Sequence, residues 1–524
     1  MHAPVTLDGR SLTIADVVAV ARGDAPVSLS DEAAARVERS HRLLLDLIQR
    51  GEPIYGVTTG LADHKGMGVP AQEVEGFQRR IVLSHAAGVG PPLHRDVVRA
   101  IIVTRANMLA AGGSGARRAI IDALIGLLNH HVHPVVPAVG SLGVTDLTHL
   151  AHIAQVLLGV GEAEVDGGLV GAAQALAGAD MAPLHLEAKE GLALISANAG
   201  SVGRGTLALW DLERVIATMD VAAALSIEGF RANLAPFALE VEQAHPDPGQ
   251  IATAARLRAL LAGSDLEQPG AARSLQDPYS FRCVPQNHGT LRDALAVART
   301  VLERELNAAA DTPLVAAETG RVISNGNFLA LGVALAFETL AIGLAHATAF
   351  SVARLRALLS GRLTGLPGTL VRSPAPQTGL SILQETATNL QTAIRGRANP
   401  SSLDFQPIAD SVEDHATNAM DAVAKLEAGI ADTAFILAAE LIAAAQGVDL
   451  RGTVRLGVGA QVAFDAVRRE VPFLQEDAPP APLLERIAEG VRAGTLLEAA
   501  EAAAGLKPDA AADPGLDRRN PARG

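Results

Sequence analysis

A chain of 524 residues with only two tyrosines, Tyr55 and Tyr279, has few phenols to spend on filling space. Phe or Leu can replace a packing tyrosine but not one kept for its hydroxyl, so both are candidates for chemistry. Three residues after Tyr279, Arg282 offers a planar, permanently charged fork that pairs with a carboxylate through two parallel hydrogen bonds. Two other groupings resemble sites by spacing alone. His130, His131 and His133, and the pair His149 and His152, lack acidic or cysteine partners at ligand spacing, so no metal is expected. Gly112-Gly113-Ser114-Gly115 lacks both a preceding strand and a Lys-Ser/Thr ending, so it reads as a turn between helices rather than a phosphate cradle.

The elements that carry these residues are mainly α. Alanine, leucine and valine recur at helical spacing, while β-branched alternation is scarce. Ser30 is a fitting N-cap, with Asp31 and Glu32 in the first turn and Gly51 beyond the end. Residues 51–70 hold five glycines and two prolines, which makes the segment bearing Tyr55 a loop and a candidate lid. Helices are predicted over 97–111, 116–129, 191–235, 291–309, 329–359, 379–394 and 410–445, long enough to pack along their length as a bundle. The expected organisation is an N-terminal domain (1–200), a central helical bundle (201–475), a C-terminal helical segment (476–506) and a disordered tail (507–524).

The formal charge of −14, with no basic run, argues against nucleic-acid partners. Cys283 is the only cysteine, which suits a reducing cytoplasm. Residues 1–30 lack the pattern of a signal peptide, and no uninterrupted apolar run reaches the roughly twenty residues a bilayer requires. A soluble cytoplasmic protein acting on a small molecule is expected.

The run Gly140-Ser141-Leu142-Gly143-Val144-Thr145-Asp146-Leu147-Thr148-His149-Leu150-Ala151-His152 is the most telling segment. It resembles the loop on which the histidine and aromatic amino-acid ammonia-lyases cyclise an Ala-Ser-Gly triad into a methylidene-imidazolone ring (MIO). Tyr55-Gly56-Val57-Thr58-Thr59-Gly60, Leu83-Ser84-His85-Ala86-Ala87-Gly88-Val89-Gly90 and Arg105-Ala106-Asn107 extend the resemblance. So do Leu192-Ala193-Leu194-Ile195-Ser196, Gln276-Asp277-Pro278-Tyr279-Ser280-Phe281-Arg282-Cys283, Ser324-Asn325-Gly326-Asn327-Phe328, Glu413-Asp414-His415 and Ala445-Gln446-Gly447-Val448-Asp449. Together they run from about residue 7 to about residue 471, in the family's order.

The resemblance implies a fold with an α-rich N-terminal part and a central bundle of long helices. It also implies a homotetramer whose active sites collect residues from several subunits. Tyr55 would be the general base at the β-carbon, which asks for a depressed pKa or a transient phenolate. Arg282 would clamp the substrate carboxylate, with Tyr279 and Gln276 orienting the carboxylate and the leaving amine, and Phe328 packing on the ring. His85 and Glu413 match histidine-type members, where a carboxylate can hydrogen-bond an imidazole nitrogen.

Where the family has its triad, this chain has one residue fewer. Gly143, Val144 and Thr145 precede Asp146 with no serine to dehydrate. A chain without MIO would need a substrate that carries its own good leaving group, such as a quaternary trimethylammonium. The missing triad is similar to the ergothionase branch, which splits trimethylamine from ergothioneine, and the changes at Ser196 and Thr58 would make room for methyl groups. The expectation is therefore a carbon–nitrogen lyase with no prosthetic group, acting on a histidine-derived betaine. The alternatives are a silent homologue that binds a histidine-like ligand, or a histidine ammonia-lyase-like enzyme with a different reaction.

Overall fold

The computed structural model describes residues 3–372, 376–409 and 412–507. The expected tail falls, from residue 508 onward, outside the described residues. Helix dominates, and strands occur only in four small sheets among the described residues. The Ser30 hydroxyl accepts the Ala33 N–H at 3.1 Å and opens the Asp31–Gln49 helix, as its residue types require. The longest helices are Ala199–Phe230, Leu331–Leu359 and Ala419–Arg451. Two of them, Leu331–Leu359 and Ala419–Arg451, are long and apolar enough to cross a membrane, yet 56% and 72% of their apolar windows are buried inside the protein. That burial is what core helices require.

Several helix boundaries differ from expectation; the helix predicted over 291–309 is Val284–Leu306, and that over 379–394 is Leu383–Arg397. The helix predicted from residue 191 to about 235 is two helices, Glu190–Ile195 and Ala199–Phe230, parted by a turn at residues 196–198. The helix predicted from residue 410 begins at Ala419 instead. There the Thr417 hydroxyl accepts the Ala419 N–H and itself donates to the Gly143 carbonyl, which holds the preceding backbone out of the helix. The helix after the Gly112-to-Gly115 break starts at Arg118.

The chain forms two compact units. The first comprises residues 1–210, 298–338 and 400–424, and the second residues 211–297, 339–399 and 425–524. In the first, a buried apolar cluster includes Leu44, Leu47, Ile54, Val57 and Val74. Because Ile54 and Val57 belong to it, the middle of the 51–70 loop is anchored, while its tip, around residues 63–68, is exposed. In the second, the Phe281 ring stacks on Phe230 at 4.2 Å, and Arg354, paired with Glu440, donates to the Ser280 carbonyl at 3.1 Å. These contacts fix the short Tyr279–Arg282 helix.

Candidate active site

A cavity of about 500 Å³ opens in the first unit, of a size suited to a small metabolite. Tyr55, His85, Val144 and Thr145 line it, and so do Ser196, Phe328 and Glu413. Segments far apart in sequence thus meet in one place. Sequence reasoning missed Lys65 and Thr312, which also line the cavity; Lys65 is the one Lys or Arg among its lining residues. Its position ten residues beyond Tyr55 on the same loop was the only available signal.

Tyr55 is held from both sides. Its Oη accepts the Ala62 N–H at 3.0 Å, across the loop. Behind it the fully buried Gln78 donates to the Gly56 carbonyl at 2.9 Å and accepts the Leu192 N–H at 3.2 Å. One amide therefore ties the tyrosine loop to the Glu190–Ile195 helix, which delivers Ser196. Thr58 does not line the cavity. Its hydroxyl accepts the Ile54 N–H at 2.7 Å and donates to the Glu52 carbonyl at 3.2 Å, so it closes its own loop instead of meeting a ligand.

The shortened loop is locked from every direction. The Leu142 carbonyl accepts the N–H groups of Thr417 and Asn418. Gly143, at φ +72°, has no room for a side chain, since a Cβ would fall 2.3 Å from Thr417 Oγ1. The Thr145 N–H donates to Asn198 Oδ1 at 3.2 Å, and the Asp146 N–H to the Ala197 carbonyl at 2.7 Å. Asp146 itself is fully buried and does not line the cavity. Its carboxylate accepts from Ser141 Oγ at 2.6 Å and from the Ser201 N–H and hydroxyl at 2.6 and 3.0 Å, capping the first turn of the Ala199–Phe230 helix. Asp146→Ala is expected to lower stability by about 3 kcal/mol, because it leaves buried donors unpaired. A thermal denaturation midpoint equal to wild type would refute this bracing role.

His85, Glu413 and Phe328 also line the cavity. His85 Nδ1 lies 2.7 Å from the Ile81 carbonyl, which can only accept, so this nitrogen carries the proton and Nε2 is left as an acceptor. The Glu413 backbone carbonyl accepts the Ile408 N–H at 3.0 Å, fixing the turn that presents its carboxylate. Beneath the Thr312–Asn325 wall, buried Arg105 and Asp311 pair at 2.8 Å, and Asn325 Nδ2 donates to the Asp311 carbonyl at 3.0 Å. Burial pushes the neighbouring Lys189 ammonium down to about 8.

The histidines flagged by spacing have other work. His152 Nε2 accepts the Gly88 N–H at 3.1 Å, and burial, with His149 beside it, lowers its pKa from the ordinary value. His149 Nε2 faces the Ala138 carbonyl at 3.2 Å. Among the described residues no group of three or more His, Cys, Asp or Glu is arranged to hold a metal ion.

Gln276, Tyr279 and Arg282 belong to the second unit and are not among the cavity's lining residues. They form a group of their own: Arg282 donates to Gln276 Oε1, and its guanidinium sits 4.7 Å over the Tyr279 ring. Tyr279 is 67% exposed, and Arg282 Nε has no partner.

Comparison with known proteins identifies the class to which this helical fold and cavity belong, the carbon–nitrogen lyases. Residues 12–469 match the aromatic amino acid lyase family, and this chain belongs to it. The histidine ammonia-lyase of Anaeromyxobacter sp. strain K is 41% identical, with 90% of this chain and 95% of that protein covered. That of Symbiobacterium thermophilum is 40% identical, with 95% and 98% covered. Among solved structures, the ergothioneine-degrading ergothionase of Treponema denticola, in complex with desmethyl-ergothioneine sulfonic acid, superposes with a TM-score of 0.92 at 31% identity, covering 94% of this chain and 99% of that one.

These relatives overturn two expectations. Chains about 40% identical along nearly the whole length are histidine ammonia-lyases, which points to ammonia leaving histidine rather than trimethylamine leaving a betaine. The expectation of no prosthetic group, which rested on the missing serine-bearing triad, is overturned by the same relatives, since histidine ammonia-lyases carry the MIO ring. The loop does not itself match the group: Gly143, Val144 and Thr145 include no serine, and the Thr145 and Asp146 N–H groups are bonded to Asn198 Oδ1 and the Ala197 carbonyl.

Proposed function

We propose that the chain eliminates ammonia from histidine, or from an amino acid closely similar to it, to give the imidazole acrylate. The observation that carries this is the convergence of Tyr55, His85 and Glu413 on one cavity. A base at one end and two imidazole-compatible polar groups match an α-amino acid with a polar ring, and the named relatives act on histidine. His85 Nε2 can accept the ring N–H, and the Glu413 carboxylate can accept another from an imidazolium. Tyr55 Oη takes the β-proton, the Cβ–H electrons form the Cα–Cβ double bond, and the amine leaves with the C–N electron pair. Apolar Leu192, Ile195 and Leu329 keep water from the reacting carbons.

The reading includes a homotetramer in a soluble, cytoplasmic setting. Gln276, Tyr279 and Arg282, preassembled and with Tyr279 exposed, would complete the cavity of a neighbouring subunit and clamp the carboxylate there. The test is to incubate the purified full-length protein with L-histidine, L-phenylalanine and L-tyrosine, following acrylate absorbance and ammonia together. Equimolar acrylate and ammonia from histidine alone is the expected result. Histidine binding without ammonia release would overturn the activity and leave a ligand-binding homologue.

A further inference from the structure

Thr145 occupies a backbone conformation that its side chain disfavours. Its φ is +76°, in the left-handed region where a β-branched residue is strained and glycine or asparagine is at ease. The surrounding bonds hold it there, and such strain persists where a particular side chain is needed. The hydroxyl has no hydrogen-bond partner among the described residues, although Thr145 is only 6% exposed and lines the cavity.

Ser196 repeats the pattern from the other side. It is 3% exposed, lines the same cavity and also lacks a partner for its hydroxyl among the described residues. The two lie on neighbouring segments, joined by the Thr145 N–H to Asn198 Oδ1 and the Asp146 N–H to the Ala197 carbonyl. Neither oxygen is among the sealed, unsatisfied atoms of the interior, so each reaches open space. Two uncommitted hydroxyl oxygens on adjoining backbone segments suit a group with several N–H donors and one positive charge.

The geometry points to the Thr145–Ser196 hydroxyl pair as the subsite that receives the substrate's primary ammonium. Each oxygen accepts one N–H, and each hydroxyl proton stays free to rotate toward the cavity. A ligand with the same ring and carboxylate but no amine gains nothing from the pair. This assignment rests on the histidine-like substrate proposed above and names which side chains read its amine.

The test measures L-histidine and 3-(imidazol-4-yl)propanoate binding by calorimetry on the full-length protein. Thr145→Val and Ser196→Ala should each weaken histidine about tenfold, the usual worth of a hydrogen bond to a charged group, and leave the propanoate unchanged. Thr145→Ser should keep the wild-type preference. Thr145→Gly should lose it while melting at a higher temperature, because the strain is relieved. Equal weakening of both ligands, or none, would overturn the subsite while leaving the histidine-like reading intact. Failure of the wild-type protein to bind either ligand would overturn that reading, and the subsite with it.

Discussion

Tyr55→Phe should lower kcat for ammonia release by roughly a hundred- to ten-thousandfold, the range spanned by loss of a positioned general base. The substitution removes one oxygen and little else. Ile54 and Val57 hold the middle of the loop in the apolar cluster, and Gln78 ties the Gly56 carbonyl, so the ring stays where it was. The Ala62 N–H loses its acceptor, but it lies on a partly exposed segment where water can replace it. Stability and histidine affinity should therefore change little while turnover collapses. Steady-state kinetics, a melting curve and calorimetry on the same preparation separate these outcomes. Turnover within a few-fold of wild type would remove Tyr55 from the role of base and leave it a structural part of the loop.

The contrast between Tyr55 and Thr58 shows what the sequence makes legible. Both sit in the same six-residue motif, yet one phenol reaches the cavity while the hydroxyl three residues later is consumed by Ile54 and Glu52. Spacing identifies the loop; which way each side chain turns depends on backbone hydrogen bonds that spacing does not encode. The same holds at Asp146, a loop carboxylate whose three bonds brace Ser141 and the Ala199–Phe230 helix. The division between Ile195 and Ala199 escaped notice because apolar periodicity continues on both sides of it. The turn is instead made by contacts to residues 145 and 146, fifty positions upstream.

The substrate was the least legible feature. Val144 and Thr145 in place of a serine-bearing triad pointed toward a betaine, but a local deletion weighs less than identity of about 40% carried along nearly the whole chain. What the deletion does establish is local: it places a strained threonine in the cavity wall.

Arg282→Ala should reduce kcat/KM by about two orders of magnitude, since losing a charge-paired carboxylate contact costs about 2–5 kcal/mol. The more decisive measurement combines it with Tyr55→Phe. If the Gln276, Tyr279 and Arg282 group of one subunit completes the cavity of another, each variant alone is inactive for a different reason. Co-expressing the two chains at equal levels then creates some sites with a wild-type Tyr55 from one subunit and a wild-type Arg282 from a second. Random assembly of a symmetric oligomer should return about a quarter of the wild-type rate. A site built within a single chain gives the opposite result, because every chain in the mixture carries a defect and no site is whole. The exposure of Tyr279 favours recovery, as it presents a phenol that its own unit leaves unused. Co-expressed chains that assemble yet stay as inactive as either variant alone would overturn the shared site, and near-normal turnover by Arg282→Ala alone would place Arg282 outside the reacting site. Lys65, which lines the same cavity as Tyr55, would then be the residue to test as the carboxylate's partner.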